Sequence, residues 1–393
     1  MRLSDRIERI GRSATMAAGD KAARMRRQGV DVLDLGPGQP DFDTPEHIVE
    51  AGIRALREGK TRYTAAAGIP ELREAVAQLY LERDGAEFAP EETIISCGGK
   101  QAIHNAVMAL VNDGDDVILP TPYWVSFPEQ IKLAGGNPVF VETREEDDFE
   151  LRADAVADVL TERTRLIIVN TPSNPSGAVV SRREMEALTR LALEHEVFLL
   201  LDECYATLVY DGWEHVTPLQ LGPEAKRVTL ICGSCSKSYA MTGWRIGWMA
   251  GPRPVIDAMG RMQGHTTSNP TSISQWAALE ALTGDQTPVR EMLEVFAERR
   301  ERTLLRLRNL PGVTCGEPGG AFYAFPNVES LLGDRLPSSA DLSAYLLEKA
   351  HVMSVPGTAF GRDGYLRLSF ATSTEVIDAA MDRLEEACAD LLG

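Results

Sequence analysis

The stretch RLIIVNTPSNPSGAVVSRREMEALTRLALEHEVFLLLD, Arg165–Asp202, decides the fold. Its two ends, RLIIVN and VFLLLD, are short continuous apolar runs without the alternation of a half-solvated strand. Between them REMEALTRLALEHE has the period of a helix. Strand, helix and strand, with both strands covered on both faces, is the unit of a parallel sheet. The alternation continues on either side: TIIS then KQAIHNAVMALV, DVILP, PVFVE, RVTLIC and RIGWMA. The expected fold class is therefore α/β, a mostly parallel sheet flanked by helices. From about Asp285 the character changes to a long charged helical stretch, GAFYAF, a helix near LSAYLLEKA, the strands HVMSV and YLRLSF, and a final helix. That pattern predicts a smaller α+β domain over 285–393, a large domain over 46–284, and an N-terminal segment, 1–45, joining the small domain.

Composition narrows the partners. At 393 residues, 44% hydrophobic, the chain can bury a large core. A formal net charge of -18 argues against nucleic acid or an anionic membrane, both of which need clustered Lys and Arg. Any anionic ligand must be met locally. The six cysteines lack zinc spacing, so no metal is expected, and a reducing cytoplasm is the simpler setting. The opening residues are polar, without the apolar core of a signal peptide, and no stretch approaches a membrane span.

Polar residues fall repeatedly just beyond strand ends. Gly98, Gly99 and Lys100 follow TIIS, Asn174 follows RLIIVN, Asp202 closes VFLLL, and Ser234, Ser236 and Lys237 follow RVTLIC. In an open α/β sheet that edge is where ligands bind. The Gly98-Gly99-Lys100 turn offers free amides to an anion, although a glycine pair by itself more often marks a tight turn. Neither a dinucleotide fingerprint nor a Walker pattern is present. Ser234, Ser236 and Arg245 add donors for a single phosphate, and a lone phosphate beside a lysine and a buried carboxylate suggests a phosphorylated aldehyde. In CGSCSKSYAMTGWR, Cys232–Arg245, the Cys232-x-x-Cys235 pair also permits a redox dithiol.

GQPDFDTP, TRYTAAAGIPELREAV, GGKQAI, PYWVSFPE, NTPSNPSGA, DECYATLVY, SCSKSYAMTGWRIG, GGAFYAF, VPGTAFG and LRLSFATS occur in an order and spacing that resembles the class I aminotransferases. These are pyridoxal-phosphate enzymes of fold type I, and the similarity is greatest to the bacterial aspartate-specific branch, from about Ser4 to Leu391. The resemblance makes Lys237 the catalytic lysine that holds pyridoxal 5'-phosphate as a Schiff base, Asp202 the partner of the pyridine nitrogen, and Trp124 the aromatic stacked on the ring. Tyr205 and Asn174 become partners of the phenolic oxygen. Ser234, Ser236, Arg245, Gly99 and Lys100 form the phosphate cup. Tyr63 corresponds to a tyrosine that reaches the phosphate of a second subunit, which implies a homodimer with shared sites. Arg367 corresponds to the arginine that clamps the substrate α-carboxylate, helped by Asn174 and the amide of Gly38, where composition alone would read a structural salt bridge. The two cysteines occupy family positions, which disfavours the dithiol.

In the same branch a lysine at the position of Lys100 and the hydroxyls of Ser13 and Thr15 are associated with a distal carboxylate. The implied substrates are aspartate and glutamate with their 2-oxo acids. Three departures from the family's pattern stand out: Gln39 where glutamate is frequent, no prolines after Tyr63, and the segment GHTTSNP. Prephenate as acceptor, giving arogenate, is the runner-up, with broad specificity beside it. A C–S lyase or an aminocyclopropane-forming enzyme would reuse the same cofactor residues.

Overall fold

The structure, a computed structural model, describes residues 3–11 and 14–392, except the side chains of residues 14–18. Its strands are β1 (Leu33–Asp34), β2 (Thr93–Ser96), β3 (Asp116–Thr121), β4 (Asn137–Glu142), β5 (Thr164–Asn170), β6 (Phe198–Asp202), β7 (Thr229–Ser234), β8 (Gly247–Ala250), β9 (Tyr323–Ala324), β10 (Val352–Met353), β11 (Val355–Pro356) and β12 (Leu366–Ser369). Seven of them form the central sheet, in the order β2-β8-β7-β6-β5-β3-β4. All neighbours run parallel except those of β8, which is antiparallel to both β2 and β7.

Continuous apolar strands need cover on both faces, and they receive it. Ile167, Leu199, Leu201 and Ile231 pack on one side with Leu72 and Val76 of the helix Pro70–Asp84 and Leu188 of the helix Arg182–Glu194. Leu166, Ile168, Leu200 and Leu230 face the opposite layer, with Ala102 and Ile103 of the helix Gly99–Leu110 and Met259 of the helix Arg253–Thr266. Period-two side-chain direction thus divides one apolar run between two cores. Ser181 starts the helix Arg182–Glu194, its hydroxyl accepting from the Glu184 amide, an N-cap of about 1 kcal/mol.

A third core lies around β9 and β12, where Phe322, Tyr323, Leu366, Leu368 and Phe370 meet Phe296 of the helix Thr287–Leu307 and Ile377 and Leu384 of the helix Thr374–Leu392. β1 pairs in parallel with β10, and the Ser369 amide donates to Leu35 O at 2.7 Å. The chain then crosses toward the first core. Arg299 grips Asp41 through two bonds of 2.7 and 2.9 Å, and Thr44 Oγ1 donates to Ala240 O. HVMSV does not form one strand. It divides into β10 and β11 at Ser354, whose hydroxyl donates to Ser343 Oγ at 3.1 Å. The helix near LSAYLLEKA ends in a wider turn over Leu346–Ala350. No described helix is long and apolar enough to cross a membrane.

Candidate active site

The carboxyl ends of β2, β5, β6 and β7 bring four loops together. Register sets Asn170, Asp202 and Cys232 side by side across β5, β6 and β7. Asp202 is buried, and the Cys204 amide donates to its Oδ1 at 3.2 Å. No cation comes within ion-pair distance of it among the described residues. Burial raises its pKa from the ordinary 3.8 to about 6, with the nearby Glu203 charge acting in the same sense. Glu203, the next residue, meets the opposite fate. It is held by Arg83 at 2.7 Å, Tyr80 Oη at 3.0 Å and His215 Nε2 at 3.1 Å. Although burial alone would raise its pKa, Arg83 and His215 bring it below the ordinary range. Two consecutive carboxylates are therefore separated electrostatically, one satisfied and one awaiting a positive partner.

Lys237 lies on the short turn of helix Cys235–Ser238 that follows β7, and its Nζ donates to Gly38 O. Burial lowers its pKa to about 8; the Arg367 and Arg245 charges help, while Cys204 and Asp202 oppose. At a pKa of about 8 the amine is still mostly protonated at pH 7, but a far larger share of it is neutral and nucleophilic than of an ordinary lysine. Around it gather amide, hydroxyl and guanidinium donors of the kind an anion takes. The Ser236 amide donates to Ser234 Oγ at 3.0 Å, and the two hydroxyls lie 2.9 Å apart. Arg245 adopts φ 57, donating through Nη1 to Thr242 O at 2.8 Å and through Nη2 to Cys97 O at 3.3 Å. Gly98, at φ 84, opens the helix that starts at Gly99; a Cβ there would lie 2.4 Å from Arg245 Nη2. Glycine is thus required both for the turn and for the arginine's approach.

Lys100 Nζ sits 4.9 Å from the Trp124 ring centroid, and burial together with Arg245 lowers its pKa. Arg367 is 4% exposed, which decides its reading: among the described residues no carboxylate pairs with it. Its Nη1 donates to Asn174 Oδ1 at 2.9 Å and its Nη2 to Gly36 O at 2.5 Å, while Nε is buried without a partner. The guanidinium lies over Tyr323 at 4.5 Å and Phe360 at 5.1 Å. Tyr205 Oη is 2.9 Å from Tyr323 Oη, and burial raises the Tyr205 pKa well above its ordinary value.

Lys237, Asp202, Asn174, Tyr205, Ser234, Ser236, Gly99, Lys100, Trp124, Arg245, Arg367 and Gly38 all lie in this region. Tyr63 does not join them within one chain, being 89% exposed on the segment after the helix Glu46–Arg57. Ser13 and the Thr15 side chain lie outside the described residues. Asn170 and Tyr323 escaped sequence reading. Asn170 Oδ1 accepts from the Asn174 amide at 2.8 Å and its Nδ2 donates to Asp202 O at 3.0 Å, tying two loops together. The signal for Tyr323, GAFYAF, was visible only as a motif. Cys232 and Cys235 belong to different cores on opposite faces of the sheet and both are free thiols. They do not form a dithiol pair.

This fold and cleft define an α/β enzyme whose sheet edge gathers anion donors around a half-buried lysine and a buried arginine. The profile of the family "Aminotransferase class I and II" matches residues 30–384, and the chain belongs to that family. It is a pyridoxal-phosphate-dependent transferase of amino groups. The chain is 43% identical over 387 residues to an aspartate aminotransferase of Geobacillus stearothermophilus, covering 98% of each. It is 42% identical to a probable aspartate/prephenate aminotransferase of Aquifex aeolicus, covering 99% of each. Among solved structures, the aspartate aminotransferase of Thermus thermophilus with maleate superposes with a TM-score of 0.94 at 44% identity, covering 98% of this chain and all of that one.

Proposed function

We propose that this chain transfers the amino group of aspartate or glutamate to a 2-oxo acid by a ping-pong reaction, with pyridoxal 5'-phosphate held in the cleft described. The carrying observation is a pair of buried charges that, among the described residues, lack full pairing: Asp202, with no cationic partner, and Arg367, with Nε unpartnered. Asp202 suits a protonated pyridine nitrogen, and the Ser234, Ser236 and Arg245 donors with the Gly99 and Lys100 amides suit a phosphate. Trp124 supplies a ring to stack, and Asn174 and Tyr205 supply donors for the phenolic oxygen. When bound, the cofactor draws electrons from the substrate Cα.

The rest is work for the chain's own groups. Lys237 would hold the cofactor and, in its neutral form, would take the proton from the substrate Cα and carry it as an ammonium until it is given back in completing the amino transfer. Asp202 keeps a proton on the ring nitrogen. Arg367 binds the α-carboxylate, the planar fork matching a planar anion, with Asn174 and the Gly38 amide beside it. Lys100 selects a second, distal carboxylate. The relatives named for aspartate support that choice, and so does the dicarboxylate maleate in the Thermus structure.

A homodimer with shared sites is supported by Tyr63, whose 89% exposure leaves its hydroxyl for another subunit. Six free cysteines support a reducing, cytoplasmic setting. The large domain over 46–284, the small one over 285–393 and the segment 1–45 remain our division of the chain. Prephenate stays the second reading, favoured by the names of relatives from Aquifex aeolicus and Nitrosomonas europaea. The test compares 2-oxoglutarate, oxaloacetate and prephenate as acceptors. Turnover greatest with the first two supports the proposal, and faster turnover with prephenate replaces it with arogenate formation.

A further inference from the structure

Residues 61–69 have no regular secondary structure, yet they are pinned from below by two wholly buried glutamines, each 0% exposed. Gln275, on the helix Ser272–Thr283, accepts from the Ile69 amide at 2.8 Å and donates to Thr64 Oγ1 at 3.1 Å and Pro270 O at 2.9 Å. Gln263, on the helix Arg253–Thr266, donates to Ala66 O at 2.6 Å and Ile95 O at 2.7 Å, and accepts from Ser96 Oγ and Asn105 Nδ2. Ser272 Oγ donates to Arg62 O at 2.6 Å, and the Ile95 amide donates to Ala67 O at 2.9 Å. Gly68, at φ 99, has no side chain, and a Cβ there would lie 2.5 Å from Ile95 Cγ1. Loops tethered through five residues in this way are not free to wander.

The same segment carries Tyr63 outward with no bond of its own among the described residues. A buried amide lattice costs free energy unless every valence is met, and here every donor and acceptor of both glutamines is met. Its output is a fixed direction for one exposed phenol. We propose that Gln275, assisted by Gln263 and Ser272, is a positioning residue that aims Tyr63 at the phosphate site of the second subunit, an inference that rests on the shared-site reading above. The segment GHTTSNP joins the two glutamine-bearing helices, so its distinctive sequence lies in the frame of this device.

A double-mutant cycle on the holoenzyme tests it, reading pyridoxal phosphate dissociation by equilibrium dialysis and the dimer by sedimentation. Tyr63→Phe should weaken cofactor binding by roughly tenfold or more, the loss of a hydrogen bond to a charged group. Gln275→Met keeps the length and volume of the side chain and removes its bonds; it should weaken binding by about tenfold with Tyr63 present but less than about twofold in Tyr63→Phe. Equal losses in both backgrounds mean that Gln275 only supports the fold, and overturn the inference while leaving the shared site intact. No loss from Tyr63→Phe overturns the shared-site reading and this inference with it. If Gln275→Met does not fold, Ser272→Ala decides through the same cycle, with an expected loss of about threefold that vanishes in Tyr63→Phe.

Discussion

Asp202→Asn separates the electrostatic account from a merely structural one. Asparagine keeps an oxygen for the Cys204 amide and nearly the same volume, so the perturbation is the charge. In the cofactor-free protein the folded-state pKa of Asp202 is raised from 3.8 to about 6 by burial. A raised pKa means that the folded state binds the proton more tightly than the unfolded state. The group's stabilising contribution is therefore full below about pH 4 and is lost as pH rises through about 6. That rise corresponds to about 3 kcal/mol, all of it missing from the wild type at pH 7 to 8. The cofactor-free Asp202→Asn protein should accordingly exceed wild type by about 3 kcal/mol at pH 8 and by about half as much at pH 5. Urea unfolding of both cofactor-free proteins across that range gives the difference directly. With cofactor bound the sign reverses: the wild type gains from a charged partner that the variant lacks, and the variant should retain cofactor poorly. A difference independent of pH, or a variant that transaminates at the wild-type rate, would refute the reasoning.

Lys100→Ser should weaken catalysis with aspartate by roughly 10- to 150-fold, the worth of a charged hydrogen bond, while alanine turnover stays nearly unchanged. Steady-state kcat/KM for the two substrates checks this, since damage to the phosphate cup would depress both. Arg367→Lys keeps the charge but loses the planar fork and its bonds to Asn174 and Gly36. It should lower kcat/KM by about 10- to 100-fold for every amino acid alike, with cofactor content by absorbance unchanged.

The sheet and the gathering of polar residues at its carboxyl edge were readable because both depend on short-range pattern. Continuous apolar runs report strands covered twice, and polar residues just beyond Asn170, Leu201 and Cys232 report the ligand edge. The antiparallel insertion of β8 between β2 and β7 was not readable, because RIGWMA is as apolar as its parallel neighbours. Arg367 lay on an alternating strand whose faces both proved buried, so exposure could not be inferred from period alone. Asn170, Tyr323, Gln263 and Gln275 were missed for one reason. Their bonds join residues 4 to 211 positions apart or depend on a loop's final course, and an amide in an apolar helix carries no local sign of its partner.

Lys237 as the point of cofactor attachment is the central claim, and borohydride reduction of the holoenzyme followed by proteolysis and mass spectrometry tests it most directly. A phosphopyridoxyl label is expected on the peptide containing Lys237, between Ser236 and Ser238, and none after Lys237→Ala. A label on Lys100 or on any other lysine, or full turnover by Lys237→Ala, would contradict it.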